Sequence, residues 1–155
     1  MNAENYSRTI TVRNTASAAF DALTTGFEYW WTKPDKPIQS PGDQAKFTFP
    51  PGKSYWTFKA MQLEQDKRIE LVCTDALHLH EGKPEEIRTE WLGTRVVWDI
   101  RSTGGTTEIT LEHHGLVPTL LCYDICEAGW DFFFLDSLKS YLETGTGKPH
   151  DGSGA

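Results

Sequence analysis

Two histidine pairs and one cysteine pair are the residues whose types and spacing bear on chemistry in this 155-residue chain. His78 and His80 stand two apart, so on an extended segment both side chains leave one face, a spacing that a metal ion uses. Asp75, Glu81 and Glu112 are near, but no cysteine or carboxylate cluster completes a set in sequence, and the expectation is a solvated loop with no metal. His113 and His114 are adjacent at a strand end. His113 shares the parity of Ile109 and Leu111 and points inward, where a structural histidine bonded to a backbone carbonyl is favoured over a catalytic one. Cys122 and Cys126 lie one helical turn apart, so their side chains are neighbours. Redox pairs use C-x-x-C spacing and a thiolate-stabilising site, so two half-buried thiols are expected, with Cys122, nearer the helix start, the more reactive. No G-x-S-x-G, P-loop or H-E-x-x-H motif occurs, and Gly42 to Lys46 reads as a turn into a strand rather than a phosphate cradle. Nothing singles out His113, Glu112 or Asp99 as an acid–base group. No catalytic residue, metal or cofactor is assigned.

The aromatic residues offer a different chemistry. There are six tryptophans: Trp30, Trp31, Trp56, Trp91, Trp98 and Trp130. They fill a core, or they wall a pocket in which a few polar groups orient a ligand. Phe47, Phe49, Trp56, Phe58, Trp98 and His113 come from different strands at inward parity. Tyr123, Trp130 and Phe133 are placed to face them from a helix.

That helix is the element on which the rest depends. From Pro118 to Glu143, apolar residues recur at Leu121, Ile125, Ala128, Phe132, Leu135, Leu138 and Leu142, which marks one helical face. Pro118 suits a first turn and Gly145 a C-terminal stop. Everything before it reads mainly as strands. Ser7–Arg13 alternates. Ala16–Thr25 has a helical face at Ala16, Phe20 and Leu23, with Asn14 or Thr15 as cap, and Phe27–Trp31 continues as a second short helix. Strands follow around Phe47 and Phe49, over 55–63 and 68–74 joined by a turn at 64–67, then over 89–102 and 106–114, with a loop at 76–86. Strands in succession with short turns give an antiparallel sheet, and one long helix on one face makes the class α+β. Residues 146–155 lack large apolar side chains and are expected to be a disordered tail after a single domain, residues 1–145.

A formal charge of −7 argues against nucleic acid or an anionic membrane as partner. No apolar run reaches the ~18 residues of a membrane span. The first residues lack the order of a secretory signal. Three cysteines, an odd count, fit free thiols in a reducing cytoplasm.

Several motifs, in order, resemble a known family. They are Phe20-Asp21-Ala22-Leu23-Thr24, Trp30-Trp31, Trp91, Gly93-Thr94, Trp98-Asp99-Ile100, Thr107 to Leu116, Gly129-Trp130, and Leu135 through Gly145. Over roughly residues 7–148 the chain resembles the START-like (SRPBCC, birch-allergen-like) helix-grip superfamily. Within it, the chain is similar to the branch named after the activator of heat-shock protein 90 ATPase. The resemblance implies a curved antiparallel sheet of about six strands gripping the C-terminal helix, with an internal cavity. It implies a small cytoplasmic binding protein for an apolar or aromatic molecule, bordered by the inward residues named above. Two rivals stand beside that reading: a co-chaperone-like interaction module and a cyclase- or dehydratase-type enzyme, with catalysis the less favoured. The resemblance specifies fold more closely than function, because one fold hosts many activities, and the protein is a monomer or a homodimer on this reading.

Overall fold

The computed structural model describes residues 4–49, 54–79 and 82–150. His80, Glu81 and the Pro50-Pro51-Gly52 turn lie outside the described residues. Six strands form, β1 (Tyr6–Val12), β2 (Gln44–Phe49), β3 (Ser54–Glu64), β4 (Arg68–Leu77), β5 (Arg95–Thr103) and β6 (Thr106–His114). They make one sheet in the order β1-β6-β5-β4-β3-β2, and every neighbouring pair is antiparallel. Alternation decides what each strand buries: Thr107, Ile109, Leu111 and His113 from β6, and Ile69, Leu71 and Cys73 from β4. The turn between β3 and β4 closes with Asp66 at φ 61°, a conformation that aspartate tolerates better than most side chains.

After β1, Thr15 caps α1 (Ala16–Ala22) by accepting the Ala18 N–H at 3.0 Å. A 3-10 turn follows at Phe27–Tyr29. A second 3-10 turn, Glu85–Thr89, occupies part of what reads in sequence as loop and strand start. Gly93, at φ 83°, then turns the chain, and β5 begins only at Arg95. Trp91 therefore sits in a turn, not on a strand. No helix among the described residues is long and apolar enough to cross a membrane.

The C-terminal helix lies across the sheet, but its start and its buried face differ from the sequence expectation. It begins as α2 (Tyr123–Trp130), passes through a π-helical stretch (Asp131–Leu138) and ends as α3 (Lys139–Thr144), stopped by Gly145 at φ 85°. The buried row is Cys122, Cys126, Trp130, Phe134, Leu138 and Leu142. Leu121 and Phe132, assigned to the core by a 3.6-residue period, are exposed. Steps of four drift one way round a regular α-helix and the opposite way round the wider π turns, so the two together keep the row on one side. The helix is pinned to β1 by the Tyr6 hydroxyl, which donates to Asp131 at 2.7 Å, and by Arg8, paired with Glu127 at 3.0 Å and Asp131 at 3.2 Å.

Residues 146–150 belong to the segment read in sequence as a disordered tail, and they are bonded to the rest of the fold. The Lys148 N–H donates to the Ser137 hydroxyl at 2.7 Å, and the His150 N–H to the Trp31 carbonyl at 2.6 Å. Gly147 runs so close to the first aromatic turn that a Cβ there would stand 2.2 Å from the Tyr29 carbonyl oxygen. Low hydrophobicity hid this, because the attachment is made by backbone groups. Residues 151–155 lie outside the described residues. Ser137, fully buried, also donates to the Trp30 carbonyl at 2.6 Å, so one hydroxyl joins helix, aromatic turn and C-terminal segment. Ser137→Ala would strand both partners and is expected to cost about 1–3 kcal/mol in denaturant unfolding. Ser140→Ala, which removes an exposed bond to Thr146, is the control and should stay within about 0.5 kcal/mol.

Candidate functional site

An apolar cavity of about 140 Å³ lies between the sheet and the first turns of the C-terminal helix. Strands β2 and β3 contribute Phe49 and Trp56, the helix contributes Trp130 and Phe133, and the turns before β2 and β5 contribute Trp31 and Trp91. Ile125, Cys126, Gly129 and His78 complete the wall. The rings brace one another: Trp56 lies 4.9 Å from Trp91, Trp91 stacks on Trp130 at 6.1 Å, and Trp130 lies 5.1 Å from Trp31, centroid to centroid. Gly129 leaves open space, since a Cβ built there meets nothing within 4 Å. A mid-helix glycine costs up to about 1 kcal/mol against alanine. Its presence on the cavity wall trades helix stability for room.

Of the residues that parity and helical phase assign to the pocket, Phe49, Trp56, Trp130 and Phe133 line it, and the others do not. Phe47, Phe58, Trp98 and His113 do point inward and are fully buried, but each is covered by a second layer of rings. Trp31 covers Phe47 and Phe58 at 4.7 and 6.3 Å, Trp130 covers Trp98 at 6.1 Å, and Trp91 covers His113 at 4.5 Å. Strand parity tells inside from outside, but not first layer from second. Tyr123 turns to the helix flank, where its hydroxyl donates to Glu127 at 3.2 Å. The wall residues missed by sequence reasoning, chiefly Trp31 and Trp91, sit on turns with no period to reveal them.

His113 is a structural group whose bonding can be followed proton by proton. The Trp130 indole N–H donates to Nδ1 at 3.1 Å, and an indole nitrogen never accepts. The neutral ring therefore carries its proton on Nε2, which donates to the Thr94 hydroxyl at 2.9 Å. Thr94 in turn donates to the Trp91 carbonyl at 2.6 Å. Burial, aided by the neighbouring His114, holds the His113 pKa down to about 3. Its partners are a threonine and a tryptophan rather than the expected backbone carbonyl.

At the edge of the cavity, the fold assembles a group that sequence reading did not. His78, just beyond β4, meets Cys122 and Cys126, and their donor atoms all lie within 4.8 Å of one another. The sulfurs are 2.8 Å apart, with the Cys126 thiol donating to Cys122. That donation lowers the Cys122 pKa and, with burial, raises that of Cys126. Cys73, apart from them on β4, is pushed up to about 12 by burial. All three cysteines are free and buried, so Cys122 and Cys126 are more deeply placed than the expected half-burial.

A six-stranded antiparallel sheet with a helix across it and an apolar space between them defines a helix-grip protein. The chain belongs to the Activator of Hsp90 ATPase homolog 1-like protein family, whose model matches residues 13–143. No curated protein matches the chain. Among solved structures, it is similar to the Aha1 dimer of Colwellia psychrerythraea, with 26% identity and a TM-score of 0.73 over 92% of this chain and 98% of that one. DynU16, from the dynemicin biosynthetic locus, aligns with 19% identity and a TM-score of 0.70 over 94% of this chain and 49% of its own. MLL2253 from Mesorhizobium loti aligns with 18% identity and a TM-score of 0.64, covering 84% and 92% respectively. The last two likenesses are of fold. Family and fold together support a ligand-binding or interaction domain.

Proposed function

We propose that the chain is a small cytoplasmic binding protein whose cavity holds a compact aromatic molecule. The observation that carries this is the ring-walled space of about 140 Å³ with a glycine gap in its helical wall. Volume narrows the ligand class. An apolar cavity of about 150 Å³ suits a molecule the size of benzene, and drug-sized pockets begin near 300 Å³. One-ring and small two-ring aromatics fit, while long fatty-acyl chains and sterols are too large for this space. No carboxylate lines it, so an enzymatic acid–base pair would have to come from His78 and Cys126. A second reading, an interaction domain that pairs with itself or with a chaperone, is favoured by the family and by the Colwellia relative's description as a dimer.

Indole and a fatty acid are suitable opposing probes, read by titration calorimetry and melting temperature in the presence of a chelator. Indole should give a saturable heat of binding and raise the melting temperature, by the equivalent of about 2.7 kcal/mol at a hundredfold excess over Kd. Gly129→Leu should raise the melting temperature of the free protein yet abolish the indole response. Phe49→Ala should weaken the response more than Lys59→Ala, which alters an exposed residue of β3. Absence of any response to one- or two-ring aromatics, or an indole response that survives Gly129→Leu, would overturn the carrier reading and put the interaction domain first.

A further inference from the structure

We infer that His78, Cys122 and Cys126 form a binding site for a thiophilic d10 cation of the zinc type, with its fourth coordination position facing the aromatic cavity. The geometry carries this independently of whether the cavity takes an organic ligand. Three donors of the kinds zinc prefers converge within 4.8 Å, and all three residues are buried. The two cysteines share one turn at the start of α2, and the fold brings His78 to them from the end of β4.

Their backbones are held in place. The His78 N–H donates to the Arg88 carbonyl at 2.9 Å. The Glu90 carboxylate accepts the N–H groups of Leu121 and Cys122 at 2.8 and 3.0 Å. Lys83 ties the same helix start down through the Leu121 carbonyl at 3.2 Å and Asp124 at 3.1 Å. Metal sites depend on such outer bonds to fix their ligands.

Charge selects the ion. Two thiolates, a neutral imidazole and a divalent cation sum to zero, and a neutral complex is the least costly to bury against rings such as Trp56, whose centroid is 5.2 Å from that of His78. A monovalent copper ion would leave one negative charge in the same surroundings. Tetrahedral ligand edges at zinc bond lengths are about 3.8 Å between sulfurs, so binding asks the thiols to part by about 1 Å, within reach of a χ1 adjustment. Three protein donors with an open fourth position is the ligand count of catalytic rather than structural zinc sites. His78 and Cys126 line the cavity, so that position opens into it. On binding, both thiols lose their protons to solvent and two metal–sulfur bonds form; nothing is oxidised or reduced.

The test is anaerobic titration of the fully reduced, chelator-stripped protein with Co²⁺ and then Zn²⁺, with no organic ligand present. One equivalent of Co²⁺ should produce thiolate-to-cobalt charge-transfer absorption and the intense visible bands of a tetrahedral site. Co²⁺ binding should release up to two protons per chain, and Zn²⁺ should then displace the Co²⁺ with no further proton release. Cys122→Ser and Cys126→Ser should each abolish the charge-transfer band. His78→Gln should weaken binding by at least the roughly tenfold that loss of even an outer partner costs. Cys73→Ser should change nothing. Circular dichroism and metal-free melting temperatures establish that each variant folds, and the proton count on the unaltered protein stands if one does not. No cobalt band in the reduced wild type, or a band that persists in Cys122→Ser/Cys126→Ser, overturns the site. An indole response with no metal binding would sink this inference alone, and the reverse would sink the carrier reading alone.

Discussion

Acidification from pH 6.5 to 4 is expected to remove about 3 kcal/mol of stability through His113 alone. The buried ring has a pKa of about 3, whereas the same ring in the unfolded chain titrates near 6.5. Above 6.5 both states are neutral there and the group is silent. Below it the unfolded chain takes up a proton that the folded protein refuses, so unfolding gains up to about 1.4 kcal/mol per pH unit until the folded pKa is reached. Burial is the main cause of the refusal, and the local bonding agrees with it. Protonating Nδ1 would set a second donor against the Trp130 indole N–H, 3.1 Å away. His113→Gln, whose amide does not titrate, should be less stable at pH 7 but lose less stability on acidification. Denaturant midpoints at pH 7, 6, 5 and 4 for the two proteins make the comparison. Parallel pH slopes would mean that His113 is not neutral in the fold.

Leu138→Ala is expected to cost about 2–5 kcal/mol, and Phe132→Ala less than about 1 kcal/mol. Leu138 is fully buried beneath the π-helical stretch, while Phe132, in the same stretch, is 44% exposed. The apolar row read from the sequence includes both residues. Equal losses in urea or thermal melts would show that Phe132 packs in the core and that the buried row is misplaced.

That contrast also marks where the sequence stops being legible. Strand alternation identifies all six strands and their inward faces, since one buried face and one wet face leave a period of two that nothing else imitates. The C-terminal helix is visible as an amphipathic run, and Leu138 and Leu142 belong to its core. Its first half is misread because Cys122, Cys126 and Trp130 repeat every four residues. That period falls between those of regular and wide turns, and small thiols do not stand out as core.

The site is less legible than the fold. Trp31 and Trp91 reach the cavity from turns, and their positions follow from what they cover rather than from any pattern around them. His78 gains its cysteine neighbours only when the end of β4 meets the start of α2, more than forty residues later. Spacing rules search along the chain for ligands that this fold gathers across it.

The pairing of β1 with β6 has a consequence for the order in which the molecule assembles. Tyr6 meets His113 across the ladder, so the first strand pairs with a strand about a hundred residues downstream. The hairpins β3–β4 and β5–β6 close over short turns and can form as soon as they are made. On a ribosome, β1 must wait as an unpaired apolar strand until β6 emerges, and the helix that anchors β1 through Arg8 and Tyr6 emerges later still. Closure of this one ladder is the step with the largest loop entropy to overcome, and it should set the pace of folding.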